Sequence, residues 1–370
     1  MAEIQVNVPL ARYTTIQLGG PAELFVEVAD TAGLIDALNV AGARKLPVMI
    51  LGGGSNVIFP DSGFPGLVIR MASRGWKVER EDNVRGIVEI RAQAGQNWDA
   101  FVEYTASQNW FGVECLSGIP GTAAGVPVQN VGAYGQEGKD TIVSVRCLDR
   151  SALSKKNQGQ ILSESDLESL IVEIEAADCG FDYRTSRFKH ADAGRFVILD
   201  VLFRLNKAPS PARYPELIRA METKSENNSI NESMRRRNAV IGLRKKKSMV
   251  LDPADPDSVS CGSFFTNPIL SVEQFTAFQA ISRAKGLTAP AYPGDSGTKI
   301  SAAWLVENSG FGRGLTENGA GISSKHALAL VNRGTTTSQL LEFAGRIQET
   351  VFKEFGVRLE MEPELIKPVS

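Results

Sequence analysis

Residues 118–135 carry five glycines, no charged side chain and mostly small residues. Glycine has no Cβ and reaches positive φ at little steric cost, so main chain here comes within hydrogen-bonding distance of a flat or phosphorylated molecule. A free loop would be more polar, and a core strand would carry larger apolar side chains. The stretch therefore reads as main chain lying against a buried cofactor. A second cluster, Gly52-Gly53-Gly54-Ser55-Asn56-Val57, superficially fits the dinucleotide fingerprint. Val57 occupies the third glycine position, and Pro60 stands where a phosphate-binding helix should already be running, which argues against a Rossmann turn. Gly138-Lys139 is followed by Asp140 rather than Ser or Thr, so it is no P-loop, and no Gly-x-Ser-x-Gly elbow marks a hydrolase. A dinucleotide bound by this chain would lie on irregular loops.

Other chemistry is thinly represented. The four cysteines (Cys115, Cys147, Cys179 and Cys261) are scattered without a Cys-x-x-Cys pair, which predicts reduced thiols. Cys261 reads as a small buried spacer rather than a reactive thiol. With His190 and His326 the only histidines, a histidine-based metal site is not expected. At 370 residues, 43% hydrophobic, 22% charged and net charge −2, the chain has the composition of a soluble protein of two or three domains, without the basic field that nucleic acid requires. Its first residues lack the cationic start and apolar run of a signal peptide, and no apolar stretch reaches the ~18 residues of a membrane helix. A cytoplasmic, non-membrane protein is the expectation.

The elements that must position these loops follow from periodicity. Asp30 or Thr31 caps a predicted helix running to Ala43, with strands expected at 47–51 and 67–71. A strand at 88–94 and an amphipathic helix at 98–110 precede the small-residue loop. Strands near 141–148, 171–176 and 196–205 follow it. Residues 206–238, polar and proline-containing, read as a linker or mobile loop. Helices at 272–285 and 302–308, a strand at 327–332, and a last helix capped by Thr336 with Gln339 and stopped by Gly356 complete the pattern. A final strand is expected over 357–366.

Five ordered segments together resemble the UDP-N-acetylenolpyruvoylglucosamine reductase family. They are Gly52–Val57; Ile119-Pro120-Gly121-Thr122 through Gln129-Asn130-Val131-Gly132-Ala133-Tyr134-Gly135; Tyr183-Arg184-x-Ser186-x-Phe188-Lys189; Gly262-Ser263-Phe264-Phe265-x-Asn267-Pro268; and Glu362-Pro363-Glu364. The resemblance spans essentially the whole chain. It implies an α/β (α+β) fold in which a two-part FAD-binding module of the vanillyl-alcohol-oxidase-like type is joined to a C-terminal α+β substrate-binding domain. The expected limits are 1–71 for the first FAD subdomain, rejoined by 357–370, then 72–213 for the second and 214–356 for the substrate domain. The implied reaction is NADPH-dependent reduction of an enolpyruvyl sugar nucleotide, with hydride passing from flavin N5 to the vinyl carbon. Negative charge then builds on the carboxylate side, and the neighbouring carbon needs a proton.

Resemblance assigns Arg184 to stabilising the enolate, a role a charged planar guanidinium suits; the alternative is an ordinary arginine flanking a strand. Ser263 corresponds to the proton donor, the alternative being a turn serine bonded to backbone. Glu364 corresponds to a carboxylate that assists Arg184, the alternative being one member of a solvent-facing row with Glu360 and Glu362 on one strand face. Tyr214 resembles a mobile tyrosine covering the substrate. Lys247, Asn267, Arg313 and His326 resemble substrate contacts, although Lys245, Lys246 and Lys247 leave the register of the diphosphate lysine open. For FAD, the Gly52 turn offers the amides of Gly53, Gly54, Ser55 and Asn56 as a pyrophosphate nest. Gly121, Thr122, Gly125, Gln129, Gly132, Ala133 and Tyr134 are expected along the isoalloxazine and ribityl side. The implied ligands are FAD, NADPH and one small-molecule substrate, with a monomer needing no protein partner. Two rivals stay open: an FAD-dependent oxidase or dehydrogenase of small alcohols or sugars, and a nucleic-acid-binding protein using the basic run 235–247. That run also reads as a solvated helix face.

Overall fold

A computed structural model describes residues 3–156, 166, 168–222, 230–294 and 297–367. The chain divides into two compact units, one of residues 1–8, 22–53 and 65–245, the other of residues 9–21, 54–64 and 246–370. No helix among the described residues is long and apolar enough to cross a membrane.

In the first unit, helix Thr31–Ala43 joins strands Pro21–Val28 and Val48–Leu51. The Asp30 carboxylate accepts the Gly33 N–H at 2.7 Å and so caps the helix. Leu34, Ile35 and Leu38 pack against Val26, Leu67 and Ile69, the last two on strand Phe64–Met71, which runs parallel to Val48–Leu51. A five-stranded sheet follows, in the order Ile171–Glu175, Ile142–Asp149, Phe196–Asn206, Ile87–Gln93 and Trp76–Asp82. Alternation of Val88, Ile90 and Ala92 turns one face toward Trp98 and Phe101 of helix Trp98–Ser107. The opposite face carries Arg91 and Arg146, which grip the fully buried Asp200 carboxylate.

Residues 206–238 are a correction to the sequence reading. Helices Pro215–Glu222 and Glu232–Lys245 fall within this region and the run beyond it, while 207–214 are non-helical; 223–229 lie outside the described residues. Buried positions Ser233, Arg236, Arg237, Val240 and Leu243 recur every three or four residues. Two of them are arginines, so the stripe escapes a reading based on apolar side chains. For the same reason the basic run is only partly a solvated face: Arg236 and Arg237 are each 6% exposed, while Lys245 and Lys246 face solvent.

In the second unit, strands Ser260–Ser263, Ala329–Asn332, Ala320–Ile322 and Thr316–Glu317 form one sheet, and Ile269–Leu270, Gly297–Ile300 and Ala291–Gly294 another. Phe264, Phe278, Leu305, Phe343 and Ile347 are among the core residues. Helix Thr337–Phe355 begins with the expected box, Thr336 and Gln339 satisfying each other's N–H groups. It ends at Gly356, whose φ of 70° is the left-handed cap glycine adopts readily. The expected strand over 357–366 is shortened to Glu364–Leu365. Pro363 has no N–H to continue a ladder. Before it, Glu362 N–H donates to Phe264 O; after it, Glu364 N–H donates to Asn56 O. Glu360, Glu362 and Glu364 therefore do not share one strand face.

Asp257 is the buried electrostatic anchor of this unit. It accepts from Ser323 Oγ, from the Ser324 N–H and Oγ, and from Arg333 Nη2 at 2.6 Å. Burial alone would raise its carboxyl pKa, but the bonds from Ser324 and Arg333 outweigh that and hold it at about 2. Because the folded value is depressed, its stabilisation is complete above the ordinary carboxylate range and is lost as pH falls toward 2. Asp257→Ala is expected to destabilise by about 3 kcal/mol at neutral pH, with the loss shrinking on acidification; urea titrations at several pH values check both.

Candidate active site

Gly52 and Gly53 meet the small-residue loop within the first unit. A Cβ added to Gly53 would lie 2.5 Å from Gly121 Cα, and one added to Gly52 would lie 2.8 Å from Thr122 Oγ1. Gly121 has φ of 129°, and its carbonyl accepts the Trp98 N–H at 3.1 Å, so helix Trp98–Ser107 sets the height of the turn. Thr122 Oγ1 is buried and has no hydrogen-bond partner among the described residues. An orphaned hydroxyl beside two facing glycine turns suits a polar ligand group, because a buried unsatisfied donor is otherwise unfavourable. Gly125 opens the short helix Gly125–Val128, and Gln129 closes it. Gly132 and Ala133 pair with Glu137 and Gln136 in a two-stranded turn.

Gly54, Ser55 and Asn56 belong to the second unit. Gly54 has φ of 63°, and a Cβ there would overlap Tyr13 O. Asn56 Nδ2 donates to Glu362 O at 3.2 Å. No helix follows this turn; Val57–Ile58 is a strand paired parallel to Glu364–Leu365.

Arg184 is fastened to the small-residue loop. Its Nη2 donates to Gly132 O at 2.7 Å, and its φ of 55° is uncommon for a residue with a side chain. Two further bonds explain the spacing of Tyr183-Arg184-x-Ser186. Ser186 Oγ donates to Val128 O at 2.6 Å, and Asn130 Nδ2 donates to Asp182 O at 3.1 Å. Asn130, fully buried with φ of 44°, also bonds Glu137 and accepts the Lys139 N–H. Sequence reading did not assign it a role; an asparagine in a turn that needs the left-handed region was the available signal.

Ser263 and Glu364 lie on two segments of the second unit that main-chain bonds join. Ser263 ends strand Ser260–Ser263 opposite Ala329, and its Oγ has no hydrogen-bond partner among the described residues. The next residue, Phe264, accepts the Glu362 N–H, two positions before Glu364, whose side chain is exposed. Cys261 is buried, and burial pushes its thiol up to about 12, so it is no thiolate at neutral pH.

The sequence-predicted substrate residues are more scattered. Tyr214 precedes helix Pro215–Glu222 and meets Tyr134 edge-on, with ring centroids 5.3 Å apart. Burial raises the Tyr134 phenol to about 12. Asn267 Oδ1 accepts the Ala302 N–H at 2.9 Å, a helix-start bond. Arg313 pairs with Glu307 at the surface. Lys247 follows helix Glu232–Lys245 and His326 precedes strand Ala329–Asn332, both half-buried.

Residues 22–152 match the family described as "FAD binding domain", and residues 253–366 match "UDP-N-acetylenolpyruvoylglucosamine reductase, C-terminal domain". The chain is 44% identical to a UDP-N-acetylenolpyruvoylglucosamine reductase of Thermobifida fusca, over 97% of each chain. This chain belongs to the UDP-N-acetylenolpyruvoylglucosamine reductase family. A relative of that name from Salinispora arenicola is 43% identical over 96% of this chain and 94% of its own. The crystal structure of the UDP-N-acetylenolpyruvylglucosamine reductase of Thermus caldophilus shares the fold, with TM-score 0.62, 23% identity and 99% coverage of both chains. As a member of the UDP-N-acetylenolpyruvoylglucosamine reductase family, the chain is an FAD-dependent oxidoreductase with the expected α+β fold.

The facing turns fit FAD. A side chain on Gly53 would push against Gly121 main chain rather than a yielding side chain. Gly53→Val is therefore expected to yield folded protein that loses FAD on gel filtration. The ratio of flavin to protein absorbance checks this.

Proposed function

We propose that this chain reduces UDP-N-acetylenolpyruvoylglucosamine to UDP-N-acetylmuramate with NADPH, supplying a precursor of peptidoglycan. The principal support is the meeting of the Gly52–Gly53 and Gly121–Thr122 turns beside the loop that holds Arg184. Bound FAD supplies the hydride for the enolpyruvyl double bond. The Arg184 guanidinium, directed by Gly132 O, takes up the charge that develops on the substrate carboxylate. Ser263 Oγ, uncommitted to backbone, delivers the proton to the adjacent carbon. Glu364 assists Arg184 at the enolate. Tyr214 and Lys247, with Asn267, Arg313 and His326, form the nucleotide-sugar side of the site.

The cofactor side comprises Gly52 through Asn56 together with Gly121, Thr122, Gly125, Gln129, Gly132, Ala133 and Tyr134. Residues 1–71 with 357–370, 72–213 and 214–356 act as two FAD subdomains and a substrate domain. The enzyme works as a cytoplasmic monomer in which NADPH and substrate take turns. The test is NADPH consumption by the purified protein. It should require the enolpyruvyl nucleotide and give one lactyl ether product per NADPH. Flavin reduction by small alcohols or sugars, without any response to the nucleotide, would favour the oxidase reading instead.

A further inference from the structure

We propose that Asp99 and Arg237 are positioning residues that clamp the first residue of the FAD-holding loop, Gly118, and so set how that loop meets the cofactor. This rests on the assignment of residues 118–135 to FAD. Arg237, on helix Glu232–Lys245, makes a forked contact with Asp99: Nη1 lies 2.5 Å from Oδ1 and Nη2 2.9 Å from Oδ2. Asp99, in the first turn of helix Trp98–Ser107, accepts the Gly118 N–H on the same Oδ1 at 2.5 Å. One carboxylate thus fixes both a helix and a loop start, through the forked contact in which arginine is most selective. Burial tends to raise the Asp99 carboxyl, but the bonds from Arg237 and Gly118 outweigh it, so the group stays charged.

The neighbouring turn repeats the device. Arg236 contacts Glu114, which is fully buried and accepts the Gly112 N–H at 2.6 Å. At the far end of the loop Tyr134 meets Tyr214, just ahead of the companion helix Pro215–Glu222. The two helices therefore hold the loop near both of its ends. Arg237 is buried while the Asp99 side chain is 34% exposed, and such a partly buried ion pair is a poor source of stability compared with apolar packing, so it fits orientation of the loop better than added fold strength.

The experiment uses the FAD-loaded protein with Arg237→Met, Asp99→Ala and the double variant, measuring the FAD dissociation constant, the position of the visible flavin band and the melting temperature. Each single variant should weaken FAD binding about tenfold or more and shift the band, and the double should be no worse than the weaker single, since the pair acts as a unit. Variants that melt lower yet bind FAD as tightly as the parent, with an unmoved band, would overturn the proposal. Should a single variant not fold, the double, which leaves only the exposed Glu103 without its arginine, decides by the same comparison. An unsubstituted protein that binds no FAD would instead refute the assignment of the loop, and the clamp with it.

Discussion

Ser263→Ala should leave flavin reduction by NADPH unchanged and slow flavin reoxidation by the enolpyruvyl nucleotide by about 10²–10⁴-fold, the usual range for removal of a placed acid. An alcohol is a weak acid in water, so it transfers a proton usefully only at short range and only to a strongly basic carbon such as an enolate. One observation favours that role, and another makes alanine a clean test of it. Ser263 Oγ has no hydrogen-bond partner among the described residues, whereas a turn serine would normally be bonded to nearby backbone. The bond from Phe264 N–H to Leu328 O and the bond Phe264 O accepts from Glu362 fix the main chain directly after it, so alanine should not disturb the strand. Rapid mixing of oxidised protein with NADPH, then of reduced protein with substrate, separates the two half-reactions. Parental rates in both half-reactions for the variant would remove Ser263 from the chemistry.

Arg184→Ala should slow the substrate half-reaction by about 10²–10³-fold while changing the NADPH half-reaction far less, as expected for a lost charge-stabilising group. A guanidinium presents parallel donors to a carboxylate. The bond of Arg184 to Gly132 O fixes it in advance, so little reorganisation is needed as charge develops. Arg184→Lys keeps the charge without the fork, and its rate should fall between those of the parent and Arg184→Ala. A lysine variant with parental rates would show that charge alone suffices. An alanine variant slowed equally in both half-reactions would indicate a structural arginine bracing the loop.

Much of the fold was legible where local chemistry decides it. Asp30, the Thr336 and Gln339 box, and Gly356 marked their helix ends because caps act within three or four residues. The glycine turns were legible for a related reason: only glycine tolerates the approach seen between Gly53 and Gly121. What escaped depends on partners far along the chain. The start of helix Glu232–Lys245 looked like linker, and its basic run like a solvated face, because part of its buried stripe is arginine, neutralised by Asp99 and Glu114 more than a hundred residues earlier. Residues 357–366 looked like one strand because alternation says nothing about a change of pairing partner at Pro363. Asn130 lay inside a recognised motif, yet its three bonds to Glu137, Lys139 and Asp182 come from the tertiary turn, not from its neighbours.

The most direct test follows the visible spectrum of the purified chain through one cycle. Unhindered main chain at Gly53 and Gly121 should give a yellow protein whose released flavin is FAD. Anaerobic NADPH should bleach the flavin band, and one equivalent of UDP-N-acetylenolpyruvoylglucosamine should restore it. A colourless protein indifferent to added FAD, or a bleached flavin that the nucleotide cannot reoxidise, would contradict the account.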